Sequence, residues 1–290
     1  MSQELRLRII SGIVLAIVVL AATWMGGLPF RLLSALIALL IYYEWSTITG
    51  IARSTTDRFS HIFGWAAVGL VSLEVAFRSI ETGAVLVFGF TVAAILVNLV
   101  RRKSMWLPGG IFYAGLSGVS LAALRGSEHD GLVTMLFIFA IVWATDIFAY
   151  FVGRAIGGPK LAPPISPGKT WSGAIGGTLF GLIAGLLVIY FSGQPVGLGL
   201  AAICVVLSVG SQIGDLFESW IKRRFGVKDS SRLIPGHGGV MDRVDGLVFA
   251  CFLAFLGALA LTAASGGLIR DAGTLVTGEA RMIATTIKRT

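Results

Sequence analysis

The chain has 290 residues, of which 56% are hydrophobic and 13% charged, with a mean hydropathy of +0.87. Soluble domains carry about 25% charged residues, so this composition excludes a soluble globular protein and points to an all-α integral membrane protein. The formal net charge of +8 suits anionic headgroups and polyphosphates; no nucleic-acid partner is expected.

Apolar runs of about 20 residues, enough to cross a bilayer, recur along the chain. In chain order the predicted spans are residues 9–25, 30–49, 62–78, 82–100, 110–124, 131–152, 172–192, 197–220 and 246–265, nine in number. The first follows MSQELRLR and leads through ATWMGGLPF into another apolar run without a small-residue cleavage site, so it reads as a retained helix. The expected organisation is one polytopic domain over 1–290, with N-terminal spans (1–130), catalytic spans and their loops (131–265) and a C-terminal tail (266–290). Cys204 and Cys251 fall inside spans and read as small apolar residues.

Basic residues give an orientation. With the N-terminus in the cytosol, the inner segments carry 16 of the 23 Lys and Arg residues. The positive-inside rule then sets the C-terminus outside. Acids within spans are costly and are functional candidates by default. Glu44, Asp146, Asp215 and Glu218 gather near the cytosolic ends of their predicted helices, and Glu74 alone lies toward the other end. An active site at the cytosolic face is expected. Gly173, Gly177, Gly181 and Gly185, and likewise Gly246, Ala250, Ala254 and Ala258, recur every four residues. Such stripes let helix backbones approach closely in lipid, a packing role.

Two charged loops interrupt the apolar pattern. The first, DIFAYFVGRAIGGPKLAPPISPGKTWSG from Asp146 to Gly173, ends in GKT, but Pro163 stands where a phosphate-binding Gly-rich loop needs glycine, and no strand is expected before it. What remains is a loop offering Lys160, Ser166, Lys169 and Thr170 to phosphate oxygens. The second, SWIKRRFGVKDSSRLIPGHGGVMDRVDG over 219–246, interleaves six basic residues with three Asp. Ahead of it, Ser211, Asp215 and Ser219 share one helix face. Asp215 and Asp242 stand near the ends of consecutive antiparallel spans, and two carboxylates beside phosphate-binding cations suit Mg²⁺ shared with substrate phosphates. Gly236, Gly238 and Gly239 permit close backbone approach, and His237 can donate to a phosphate or act in acid–base chemistry. A purely structural reading, mutual salt-bridging at a headgroup surface, accounts for less, because surface pairs contribute little.

The second loop closely resembles the signature of the phosphatidate cytidylyltransferase (CDP-diacylglycerol synthase) family in its elements S-x-I-K-R, K-D, H-G-G and D-R-x-D, from Ser219 to Asp245. QIGDLFES at 212–219 and KLAPPISPGKTWSG at 160–173 resemble two further segments of that family, with Ser172 where members often carry an acid. The resemblance implies a nucleotidyltransferase that makes CDP-diacylglycerol and pyrophosphate from CTP and phosphatidate. It implies Asp215, Asp242, Asp245, His237, Lys222 and Arg223 as catalytic residues, with Asp215, Asp242 and Asp146 toward Mg²⁺. Substrate contacts are expected from Lys160, Ser166, Lys169, Thr170, Ser219, Lys228, Asp229, Arg232, Gly238, Gly239 and Arg243. A homodimer and a second, monovalent cation are further implications, and a bacterial inner membrane is the expected location. The alternatives are a CTP-dependent lipid kinase acting on polyprenol or phytol, and an ion-coupled transporter, against which the one-sided acids speak.

Overall fold

The computed structural model describes residues 3–53, 57–264 and 273. The expected tail over 266–290 therefore lies outside the described residues except at Gly273. In chain order the elements are α1 (Gln3–Met25), α2 (Gly27–Ile48), a 3₁₀ turn (Ile51–Arg53), α3 (Arg58–Phe77), α4 (Ile80–Val100), α5 (Trp106–Arg125) and α6 (His129–Ile156). There follow β1 (Lys160–Ala162), β2 (Ser166–Thr170), α7 (Trp171–Phe191), α8 (Leu198–Arg224) and α9 (Met241–Ala264). Among the described residues nine helices are long and apolar enough to cross a membrane, one for each predicted span.

The helices outrun the apolar stretches at their charged ends. α8 has 27 residues, about 40 Å at 1.5 Å per residue, against a hydrocarbon core of about 30 Å. Its last turn holds Lys222, Arg223 and Arg224, cations that complement the negative end of the helix dipole.

The segment between α6 and α7 departs from expectation. Its sequence predicts an irregular loop without a strand, but β1 and β2 pair antiparallel, with Lys160 opposite Thr170 and Ala162 opposite Ser166. The reversal is a turn in which Ile165 N–H donates to the Ala162 carbonyl at 3.1 Å, and Pro163 presets the backbone for the first turn position. GKT thus ends a strand, still without the spacing of a phosphate-binding Gly-rich loop. The fold remains α-helical, with this hairpin as its one addition among the described residues.

The chain divides into two compact units, Met1–Ala122 with Lys222–Val244, and Ala123–Ile221 with Asp245–Thr290. In the first, Trp45 of α2 is the centre of an aromatic cluster. Its ring lies 6.0 Å from Trp106 and 5.6 Å from Tyr113, and its Nε1–H donates to the Trp106 carbonyl at 2.8 Å. Gly110 admits it, since a Cβ there would come within 2.5 Å of the indole. Trp106 in turn meets Phe225 edge-on at 4.9 Å, which fixes the chain just after α8. Arg31 donates to the Val75 and Arg78 carbonyls at the end of α3, and Glu74 pairs with Arg78 at 3.5 Å, a helix-end contact and no more.

In the second unit, α6 and α7 pack backbone to backbone. Gly173, Gly177, Gly181 and Gly185 are buried. A Cβ on Gly173 would stand 2.6 Å from the Ala149 carbonyl, and one on Gly177 2.7 Å from the Thr145 carbonyl. The packing role expected of this stripe is met. On the α9 side, Gly214 faces the Asp245 carbonyl and Phe249, and Gly246 faces the Ser211 carbonyl. These close contacts set Asp146, Lys169 and Asp215 on helices and a strand that cannot move apart without losing van der Waals contact.

Candidate active site

The signature loop in the first unit is built around two carboxylates. Asp242, in the first turn of α9, places Oδ1 2.6 Å from Lys222 Nζ. Its Oδ2 accepts from Ser230 N–H, Ser230 Oγ–H and Gly239 N–H, each at 2.8 Å. One side chain thereby ties the end of α8, the middle of the loop and the start of α9.

The second carboxylate is Glu44 of α2, fully buried. Its oxygens accept from Ser231 Oγ–H at 2.6 Å, Met241 N–H at 2.6 Å and Val240 N–H at 2.8 Å, and lie 3.0 Å from Ser230 Oγ, whose one proton is shared with Asp242. A buried carboxylate is tolerated when its lone pairs are filled, and the two backbone donors are orphan amides at the N-terminus of α9. In the sequence Glu44 stands out only as a costly acid within a span. Its partners lie 186 to 197 residues away, beyond what spacing can reveal.

The glycines of H-G-G follow from these anchors. Gly238 has φ +84°, and its missing Cβ leaves room for Asp242 Oδ2; a Cβ on Gly239 would overlap Ser230 Oγ and Glu44. His237 N–H donates to the Ile234 carbonyl at 2.9 Å and Ile234 N–H to the Gly238 carbonyl at 2.8 Å, closing a tight turn. Arg243 clasps the His237 carbonyl through Nε at 3.0 Å and Nη2 at 2.7 Å. The His237 Nδ1 lies 2.7 Å from Ser11 Oγ of α1. The ring's pKa is held below the ordinary histidine value by partial burial and by the Arg243 and Arg8 guanidinium groups, against a weaker opposing pull from the Pro235 carbonyl. Arg223, Lys228, Asp229 and Arg232 are exposed along the loop.

The second unit holds a different cluster. Asp215 Oδ2 is 2.5 Å from Lys169 Nζ, and its Oδ1 takes a long contact of 3.4 Å from Ser219 Oγ, as the shared helix face predicts. Asp146, exposed on α6, lies near enough for its charge to act with those of Asp215 and Lys169. Thr170 caps α7 by accepting from Gly173 N–H at 3.1 Å. Ser172 donates to the Gly157 carbonyl and lies 3.0 Å from Thr170 Oγ1, so it laces the end of α6 and the hairpin base to α7. Ser166 and Lys160 sit on the hairpin, and Asp245 accepts from Gly246 N–H at 2.8 Å.

Asp215 and Asp242 each have a lysine partner within their own unit, a pairing that spacing did not anticipate. No group of three or more His, Cys, Asp and Glu suited to a metal occurs among the described residues. Mg²⁺ asks for less: one or two carboxylates, with waters and substrate phosphates completing the shell. Asp215 and Asp146 meet that requirement, with hard oxygen donors and the more lightly engaged carboxylate oxygens. Asp242 has both oxygens committed to its own loop.

The model of the cytidylyltransferase family matches residues 6–260 of this chain. Among curated relatives, a phosphatidate cytidylyltransferase of Brucella abortus is 49% identical over 257 residues, covering 88% of this chain and 93% of the relative. A protein of the same name from Staphylococcus haemolyticus is 32% identical over 252 residues, covering 84% and 95%. One from Haemophilus influenzae is 45% identical over 160 residues, covering 53% and 54%.

Proposed function

The chain belongs to the cytidylyltransferase family, and we propose from this that it is a membrane enzyme that joins CTP to phosphatidate, forming CDP-diacylglycerol and pyrophosphate. The observation that carries the reading is the signature loop, whose glycines, serines and aspartate are each spent on one fixed backbone path that leaves Arg223, Lys228 and Arg232 exposed. A loop held only for topology would need basic residues but not this frame.

In the reaction a phosphate oxygen of phosphatidate attacks the α-phosphorus of CTP. The bond from that phosphorus to the β-phosphate oxygen breaks, and pyrophosphate departs. There is little covalent work for side chains in such a transfer; positioning and charge compensation dominate. In the second unit Lys169, drawn to Asp215, is a group for that compensation; in the first, the exposed cations of the signature loop are suited to anionic phosphates. Asp242 keeps Lys222 and the Gly239 amide in register. In this reading Asp215 and Asp146 of the second unit would hold Mg²⁺, which would supply charge to offset the triphosphate. Formation of CDP-diacylglycerol and pyrophosphate by the purified protein tests the assignment; a phosphorylated polyprenol with CDP as co-product would replace it by a lipid kinase.

The same reading sets the N-terminus and both charged segments in the cytosol, at the inner membrane of a bacterium, supported by the 16 of 23 basic residues on that side. Cysteines replacing Ser104 and Lys228, in a background lacking Cys204 and Cys251, should be shielded from an impermeant thiol reagent in intact cells. Labelling of either from outside would reverse the orientation.

A further inference from the structure

The transmembrane length of α1 is exposed, yet Ser11 and Gly12 interrupt its apolar run and are partly covered. What covers them is the signature loop. A Cβ on Gly12 would meet His237 Cε1 at 3.5 Å and Nε2 at 3.6 Å, and one on Gly236 would meet Arg8. Ser11 Oγ lies 2.7 Å from His237 Nδ1. It also lies 2.8 Å from the Leu7 carbonyl, 3.0 Å from the Pro235 carbonyl and 3.2 Å from the Arg8 carbonyl.

A serine hydroxyl has one proton and two lone pairs. Three carbonyls compete for that proton, and none of them can donate. The ring nitrogen is the only partner of Ser11 Oγ in this group able to supply a hydrogen, so the arrangement that fills the oxygen's lone pair has Ser11 donating to a carbonyl and Nδ1–H donating to Ser11. The hydrogen bond at one ring nitrogen decides the state of the other: with the proton on Nδ1, Nε2 carries a lone pair. Among the described residues no hydrogen bond reaches Nε2.

We propose that Ser11 is a positioning residue that holds His237 as the Nδ1–H tautomer, presenting Nε2 as the base that removes the proton from the phosphate of the incoming lipid. This rests on the transferase reading above. A phosphomonoester retains one ionisable proton near neutral pH, and its dianion is the better nucleophile. The proton passes to Nε2, and the freed oxygen bonds to the α-phosphorus. The bond to the β-phosphate oxygen then breaks with its electron pair leaving on pyrophosphate, and the imidazolium returns its proton to that product. Arg8 from α1 and Arg243 from α9 are the charged groups that act on the ring. Both cations favour the neutral imidazole that a base must be.

The test uses the full-length protein in detergent with CTP and phosphatidate, and the variants Ser11→Ala, Ser11→Thr and His237→Gln. His61, His129 and His237 are the only histidines, so ¹⁵N-histidine NMR resolves them and His237→Gln assigns the ring. Expected for the wild type is a His237 signal protonated at Nδ1. In Ser11→Ala an Nε2–H population should appear. Its kcat should fall about tenfold, within what acid–base positioning supplies, with KM for CTP unchanged and the acid limb of the pH–kcat profile displaced. Ser11→Thr, which keeps the hydroxyl, should restore all three. An Nε2–H ring in the wild type, or a Ser11→Ala protein with unchanged tautomer and pH profile, overturns the role of Ser11. Near-normal turnover by His237→Gln overturns the base assignment. No product from the wild type would defeat the transferase reading instead, and the NMR difference distinguishes that failure from the others.

Discussion

Lys169 Nζ stands 2.5 Å from Asp215 Oδ2, an ion pair that joins the strand β2 to the helix α8. Asp215 is therefore both the partner of a phosphate-directed cation and, in the proposed chemistry, a carrier of Mg²⁺. Asp215→Asn should lower turnover by about two orders of magnitude or more, since charge compensation by a metal is worth several kcal/mol. Lys169→Met should chiefly raise KM for CTP. Steady-state kinetics on protein that elutes as wild type checks both. A near-normal rate for Asp215→Asn at ordinary Mg²⁺ would leave Asp215 as a structural partner of Lys169.

Glu44 holds the signature loop through three hydrogen bonds of its own, from Ser231 and two backbone amides, and shares the Ser230 hydroxyl with Asp242, all from a fully buried position. Bonds to a charged group contribute about 1.5–3 kcal/mol each, and removing the acceptor strands two amides at the head of α9. Glu44→Ala should lower the detergent melting temperature and abolish most turnover, though Glu44 touches no substrate group in the proposed reaction. A variant that melts and turns over like wild type would show that the loop keeps its path without this anchor.

The membrane-spanning fold was legible because an apolar run of about 20 residues has little alternative to a helix in lipid. The i, i+4 face of Asp215 and Ser219 was legible for a similarly local reason. The hairpin over 160–170 was not, since SPGKT has none of the alternating β-branched character that marks a strand; its pairing follows from the Pro163 turn and the capping of α7 by Thr170. The position of Asp242 in the sequence, at a span end beside cations and facing Asp215, makes it an expected metal ligand. Its four loop-holding contacts arise from Lys222, Ser230 and Gly239, which tertiary folding alone brings to it. Glu44 and Ser11 lie farthest from legibility, each acting on a loop roughly two hundred residues on.

Asp57 supplies a pH signature of the first unit. Burial by itself would raise its carboxyl, but the backbone amide and hydroxyl of Ser60 and the Arg101 guanidinium outweigh that and hold it below the ordinary carboxylate value. A depressed folded-state pKa contributes stability that is fully present above the unfolded value, about 3.9, and is lost as pH falls through the folded value. Asp57→Asn keeps a good N-cap for α3 while removing the charge. Melting curves should show the wild type ahead by about 1 kcal/mol or less at neutral pH, as expected for a partly exposed pair, and the gap should close in acid. A gap that is constant with pH would mean the charge of Asp57 contributes nothing.

In the proposed reaction a lipid phosphate attacks the α-phosphorus of CTP. Purified protein given phosphatidate, Mg²⁺ and CTP labelled at either the α- or the γ-phosphate tests it directly. Label should enter the lipid phase from α-labelled CTP and stay in the aqueous phase, as pyrophosphate, from γ-labelled CTP. Lipid labelled from the γ-position, or lipid left unlabelled by both, would contradict the account.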